Sequence, residues 1–149
     1  MENEIAIVPA SLEHREGIYR LLCELEGPGF DRVGFDLTFD TNLKAPCICY
    51  FVALLQGLPI GFISLHIQML LHHGTLIGEI QELIVTEACR SKRIGEELFH
   101  RALQAARDKG CAQLEVSSRN TRVRSHQFYE RMGMNNTHYT FCLPIDPSG

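Results

Sequence analysis

Positive charge is in short supply in this chain: 14 Lys+Arg stand against 18 Asp+Glu in 149 residues, a net charge of −4. A general polyanion binder needs net or patchy positive charge, so nucleic acid is not an expected partner. The opening Met1-Glu2-Asn3-Glu4 is acidic and lacks the basic-then-apolar layout of a secretory signal. No apolar run is long enough to span a bilayer unbroken. The most apolar stretch, residues 50–71, is interrupted by Gln56, Gly57, Pro59, Ser64, His66 and Gln68. A cytoplasmic location and no membrane partner are therefore expected. No C-x-x-C occurs among Cys23, Cys47, Cys49, Cys89, Cys111 and Cys142, and Cys47-x-Cys49 with His72-His73 matches no finger or ribbon spacing. Reduced, buried thiols are the simpler reading. No repeat, low-complexity stretch or linker divides the chain, so residues 1–149 read as a single domain.

What is present is a regular alternation of periods. Residues 4–8 alternate and end at Pro9, which suggests a first strand. Ser11 is a candidate N-cap for a helix bearing Ile18, Leu21, Leu22 and Leu25, closed by Gly27-Pro28-Gly29. Phe35, Phe39 and Leu43 repeat every four residues, as on a second short helix. Residues 48–55 and 60–69 read as strands joined by a hairpin turn at Gln56-Gly57-Leu58-Pro59. Residues 76–86 follow as another strand. Strict alternation there puts Glu79 and Gln81 on one face with Leu83 and Val85, and Ile80, Glu82 and Ile84 on the other. From Ile94 the period becomes 3.6, with Ile94, Leu98, Ala102 and Ala105 in one stripe and Gly110 as the stop. A strand at 113–117, a helix at 122–131 and a last strand at 135–143 complete the order. This is a mixed α/β sheet with helices for both faces.

The junction after the strand at 76–86 holds the first chemical signal. Arg90-Ser91-Lys92-Arg93-Ile94-Gly95 lies between a strand end and a helix start, where free N–H groups and the positive helix end favour phosphate. It is neither a P-loop nor a G-x-G-x-x-G fingerprint. Further on, Asn120 precedes Phe128-Tyr129 by eight residues, and Gly133-Met134 follows. This order of elements and motifs resembles the GNAT superfamily of N-acetyltransferases over nearly the whole chain, from Ile5 to Leu143. The family's loop reads [QR]-x-x-G-x-[GA]. Arg90 and Gly95 match it, while Arg93 stands in place of the first glycine, at an energetic cost if the backbone needs a positive φ there. Residues 22–26, 65–68, 71–73 and 77–83 resemble bacterial aminoalkylphosphonate N-acetyltransferases, a group described as aided by a divalent metal.

The resemblance implies a single-domain GNAT fold, acetyl-CoA as donor and direct attack by a small-molecule amine, an aminophosphonate in the first instance. By the same resemblance, backbone groups of Leu83, Ile84 and Val85 pair with the pantetheine arm. The pyrophosphate lies over Arg90, Ser91, Lys92, Arg93, Ile94, Gly95 and Glu96, and Asn120, Ser125 and Phe128 complete the cofactor site. Glu79 matches the family's general base and Tyr129 its general acid, with Gln81, His66 and His73 toward the substrate. His72 and His73 are the candidate metal ligands, since imidazole suits first-row divalent ions. A homodimer is a further implication. A polyamine, amino-acid or protein N-terminal acceptor is the alternative within the fold, and a non-catalytic acyl-CoA-binding module the alternative outside catalysis.

Overall fold

The computed structural model describes residues 4–146, apart from the side chain of Ser91. Its contacts divide the chain into two compact units, Met1–Val116 and Ser117–Gly149.

The first unit is a five-stranded sheet in the order β1 (Ile5–Pro9), β2 (Ile48–Leu55), β3 (Leu58–Leu70), β4 (Thr75–Val85), β5 (Gln113–Val116). All neighbours are antiparallel except β4 and β5. The β2–β3 turn is tight because Gln56 and Gly57 both take positive φ, 51° and 79°, which matches the twist of paired strands. Helices α1 (Arg15–Glu26) and α2 (Arg32–Leu43) cover one face. There Ile18, Leu21, Leu22, Phe35 and Phe39 pack with Val52, Phe62 and Ile84 of the strands. Helix α3 (Ile94–Asp108) covers the other, its Ala106 packed with Leu65 and Ile67. Each such side chain removed from water contributes about 1.5–3 kcal/mol, enough to hold both layers on the sheet. Ser11 caps a short 3-10 turn, Leu12–His14, rather than α1 itself; its backbone N–H donates to His14 Nδ1 at 3.0 Å.

Strict alternation fails in β4. Ser64 faces Glu82 and Leu65 faces Ile80, so Gln81 has no partner on β3 and forms a bulge. The pairing puts Glu79, opposite His66, on the same face as Glu82 and Ile84, toward α1 and α2. Leu83 and Val85 lie on the α3 face, opposite Ile63 and Gly61. The expectation that Glu79 shares a face with Val85 is thus overturned by a single inserted residue.

The second unit contains α4 (Val123–Arg131), ended by Gly133 at φ 94° with Met134 N–H bonded to Tyr129 O at 3.0 Å. The strand expected at 135–143 does not form. A strand needs a hydrogen-bonded neighbour, and among the described residues none pairs with this segment; Tyr139, Phe141 and Leu143 stay 89%, 93% and 86% exposed. The thiols also depart from expectation: all six are free, but only Cys89 is buried, and Cys47 and Cys142 are exposed.

Candidate functional site

The loop between β4 and α3 is held from α1. Glu24 accepts from Thr86 Oγ1 at 2.9 Å and from the backbone N–H of Glu87 at 3.3 Å. Residues Glu87–Lys92 form a 3-10 turn, across which Arg90 Nε donates to Val85 O at 3.2 Å. Arg93 then takes the left-handed conformation, φ 60° and ψ 19°, as the N-cap of α3. That is the conformation a glycine would hold without strain, so the arginine bears a cost of about 1–2 kcal/mol. Arg90, Lys92 and Arg93 are exposed around the first turn of a 15-residue helix, while Ile94 is buried and anchors it. Gly95 and Glu96 follow, half-buried. Cations and free N–H groups converge at the positive helix end, an arrangement suited to phosphate.

Beside this loop, β5 pairs with β4 only from Ile77 to Ile80. Beyond Ile80 no strand among the described residues continues along that edge, so Leu83 and the N–H of Val85 face a free edge there, while the Val85 carbonyl takes the Arg90 bond and Ile84, like Thr86, pairs toward β3.

On the α1–α2 face, below the bulge, lies a cavity of about 290 Å³. Phe35, Phe39, Tyr50 and Phe62 line it with Glu82, and Asp31 and Thr38 stand at its exposed side. Glu82 is fixed by Ser64, which is fully buried. The Ser64 hydroxyl accepts the Glu82 backbone N–H at 2.9 Å and donates to its carboxylate. Tyr50 receives a hydrogen bond from Asn42 at 2.7 Å, and burial, with the nearby Glu82 charge, pushes its hydroxyl above its ordinary value. Glu82 is not among the site residues that the sequence suggests. Its available signal was the adjacent polar pair Gln81-Glu82 in an alternating strand, which is what a bulge leaves behind.

Of the expected acceptor-side residues, Glu79 is half-buried with His66 opposite on β3 and Glu115 opposite on β5. His73 Nε2 lies 3.8 Å from Glu115, and the His72 and His73 rings are 4.4 Å apart. The strip is acidic and imidazole-rich, yet among the described residues no three His, Cys, Asp or Glu side chains converge to hold a metal ion. Gln81 is exposed at the bulge.

In the second unit, Tyr129 and Phe128 contact edge-to-face at 5.4 Å, and burial pushes the Tyr129 hydroxyl up to about 12. At neutral pH it keeps its proton and is a donor. Asn120 precedes α4, and Ser125 lies in its first turn, half-buried.

Residues 15–134 match the acetyltransferase (GNAT) family model. The chain belongs to the GNAT acetyltransferase family. It is thereby an acetyl-CoA-dependent N-acetyltransferase with the family's fold. Among relatives of known name, it is 39% identical over 136 residues to the aminoalkylphosphonate N-acetyltransferase of Salmonella typhimurium, covering 91% of this chain and 88% of that one. An aminoglycoside N-acetyltransferase in complex with CoA superposes with a TM-score of 0.87 at 18% identity, over 97% of each chain. Glucosamine-6-phosphate N-acetyltransferase from Arabidopsis thaliana superposes at 0.81 with 21% identity, over 96% of this chain and 99% of that one. At such identities the structural likeness speaks for the fold alone. No described helix of this GNAT chain is long and apolar enough to cross a membrane.

Proposed function

We propose that the chain transfers acetyl from acetyl-CoA to the primary amine of a small aminoalkylphosphonate, by direct attack in a ternary complex. The observation that carries the reading is the basic turn at the start of α3 beside a strand edge left open after Ile80. The open edge suits the amide groups of a pantetheine arm along Leu83, Ile84 and Val85. The turn from Arg90 to Glu96 suits the pyrophosphate. Asn120, Ser125 and Phe128 extend the cofactor site in this reading. The substrate class rests on the 39% identical relative and its name.

An alkyl amine titrates near about 10, so about one molecule in a thousand is free base at neutral pH, a cost on the order of 4 kcal/mol. A carboxylate within reach, directly or through water, offsets that cost. Glu79 takes this role: the amine nitrogen forms its bond to the acyl carbon and passes its proton to Glu79. The C–S bond then breaks, and the leaving thiolate takes the proton of Tyr129, whose raised pKa keeps it loaded. Gln81, His66 and His73 orient the acceptor. No enzyme nucleophile is needed; Cys89, the nearest thiol in sequence, is buried.

The test is mass spectrometry of products from acetyl-CoA and a panel of aminomethylphosphonate, 1-aminoethylphosphonate, spermidine, lysine and a short peptide. Acetylation of the phosphonates above the rest is expected. Acetylation of spermidine or peptide alone overturns the substrate class and leaves the reaction standing.

A further inference from the structure

We propose that Arg122 is a positioning residue for the acid of the reaction: its guanidinium, two helical turns before Tyr129 on one face of α4, holds the phenolate left when the tyrosine proton passes to sulfur. The inference rests on the acetyl-transfer reading with Tyr129 as the acid, and adds the group that lets this acid give its proton up.

Arg122 stands where helix energetics would not put it. It is the N-cap of α4, at φ −89° and ψ 68°, and makes no side-chain cap bond. An arginine carries donors only, so it cannot accept from the free N–H groups of the first turn, and its charge meets the positive end of the helix. Among the described residues no carboxylate forms an ion pair with it. Neither capping nor ion pairing accounts for a cation at this place.

The face of the helix does. Arg122, Ser125, His126 and Tyr129 fall at i, i+3, i+4 and i+7 and are all half-buried, while Val123, Arg124, Gln127 and Glu130 are exposed. Long side chains on a helix lean toward its N-terminus, so the Tyr129 ring reaches back along this stripe, over much of the roughly 10 Å of axis between the two positions. Burial pushes the Tyr129 hydroxyl up to about 12, and the Arg122 charge draws it back down. Other basic groups of the helix are engaged elsewhere. Arg131 stands over the Phe128 ring at 5.7 Å, and His126 gives its Nε2 proton to Arg119 O at 2.8 Å.

The chemistry needs such a charge. As the C–S bond breaks, its electron pair goes to sulfur, and Tyr129 gives its proton there, leaving a thiol and a phenolate. A thiol ordinarily ionises near about 8.5, so a proton held at about 12 moves uphill in this step. The guanidinium attracts the phenolate far more than the neutral hydroxyl, so it opposes the cost as the charge forms. Water then returns a proton to Tyr129, and Glu79 releases to water the one it took from the amine, so both groups end as they began.

In the test, 3-nitrotyrosine is introduced at Tyr129 of the full chain. Its phenol absorbs visible light on ionising, where the other tyrosines are silent. Arg122→Gln is expected to raise the midpoint by about half to one pH unit, and Arg122→Lys to keep it near its starting value. In the unmodified chain, Arg122→Gln is expected to lower kcat roughly threefold to tenfold at constant acetyl-CoA KM, and to cost nothing further once Tyr129→Phe is present. A midpoint that does not move overturns the inference. So does a raised acetyl-CoA KM at unchanged kcat, since Arg122 would then serve a CoA phosphate. An unmoved midpoint beside an impaired Tyr129→Phe sinks the Arg122 role alone, whereas Tyr129→Phe at full kcat sinks the acid reading and this role with it.

Discussion

The hydroxyl of Ser64 serves Glu82 twice, accepting its backbone N–H at 2.9 Å and donating to its carboxylate. A bulge strands a backbone donor, and here a fully buried side chain on the neighbouring strand takes that donor up. The irregularity in β4 and the orientation of the cavity's anion therefore have one cause.

Ser64→Ala removes both bonds at once. It is expected to lower folding stability by about 1–3 kcal/mol, since a buried N–H is left without a partner. Urea denaturation checks this; Ser64→Thr, which keeps the hydroxyl, should recover much of the loss.

Arg93→Gly relieves a left-handed arginine at φ 60°. The variant should gain about 1 kcal/mol in thermal unfolding and lose severalfold in acetyl-CoA affinity, because a cation at the helix start goes with the strain. Loss of affinity without the gain in stability would contradict the strain.

Glu24→Ala frees the start of the β4–α3 loop from α1. Glu24 is exposed, so the stability cost should stay below about 1 kcal/mol. The acetyl-CoA KM should rise severalfold with the amine KM unchanged, a split that steady-state kinetics resolves.

Tyr129→Phe should lower kcat by roughly a hundredfold or more, the usual weight of a positioned acid, and leave acetyl-CoA binding intact. Burial raises the Tyr129 pKa from 10.0 to about 12. The folded state therefore holds this proton more tightly than the unfolded one. Its contribution to stability is fully present below pH 10 and is lost as pH rises toward 12. In the wild type, the rate should not fall through loss of this proton below about pH 10. A rate that stays level while Tyr129 ionises would remove it as the acid.

Much of this protein is decided by local chemistry that can be read residue by residue. The 3.6 period from Ile94 to Ala105 is α3, the Gln56-Gly57 pair is the hairpin, and Arg90 with Gly95 marks a loop that does lie between a strand and a helix. Each is set by neighbours within about one turn, so alternation and turn residues suffice to find it. The segment at 135–143 shows the limit: its alternation is that of a strand, but a strand exists only where another backbone supplies its hydrogen bonds. Gln81 shows it more sharply. A shift of one residue reverses every face that follows, and whether it occurs depends on Ser64, seventeen positions away, taking up the Glu82 N–H. Only the tertiary structure, through that cross-strand bond, brought Glu79 and Glu82 to one face and set Glu82 into an aromatic cavity.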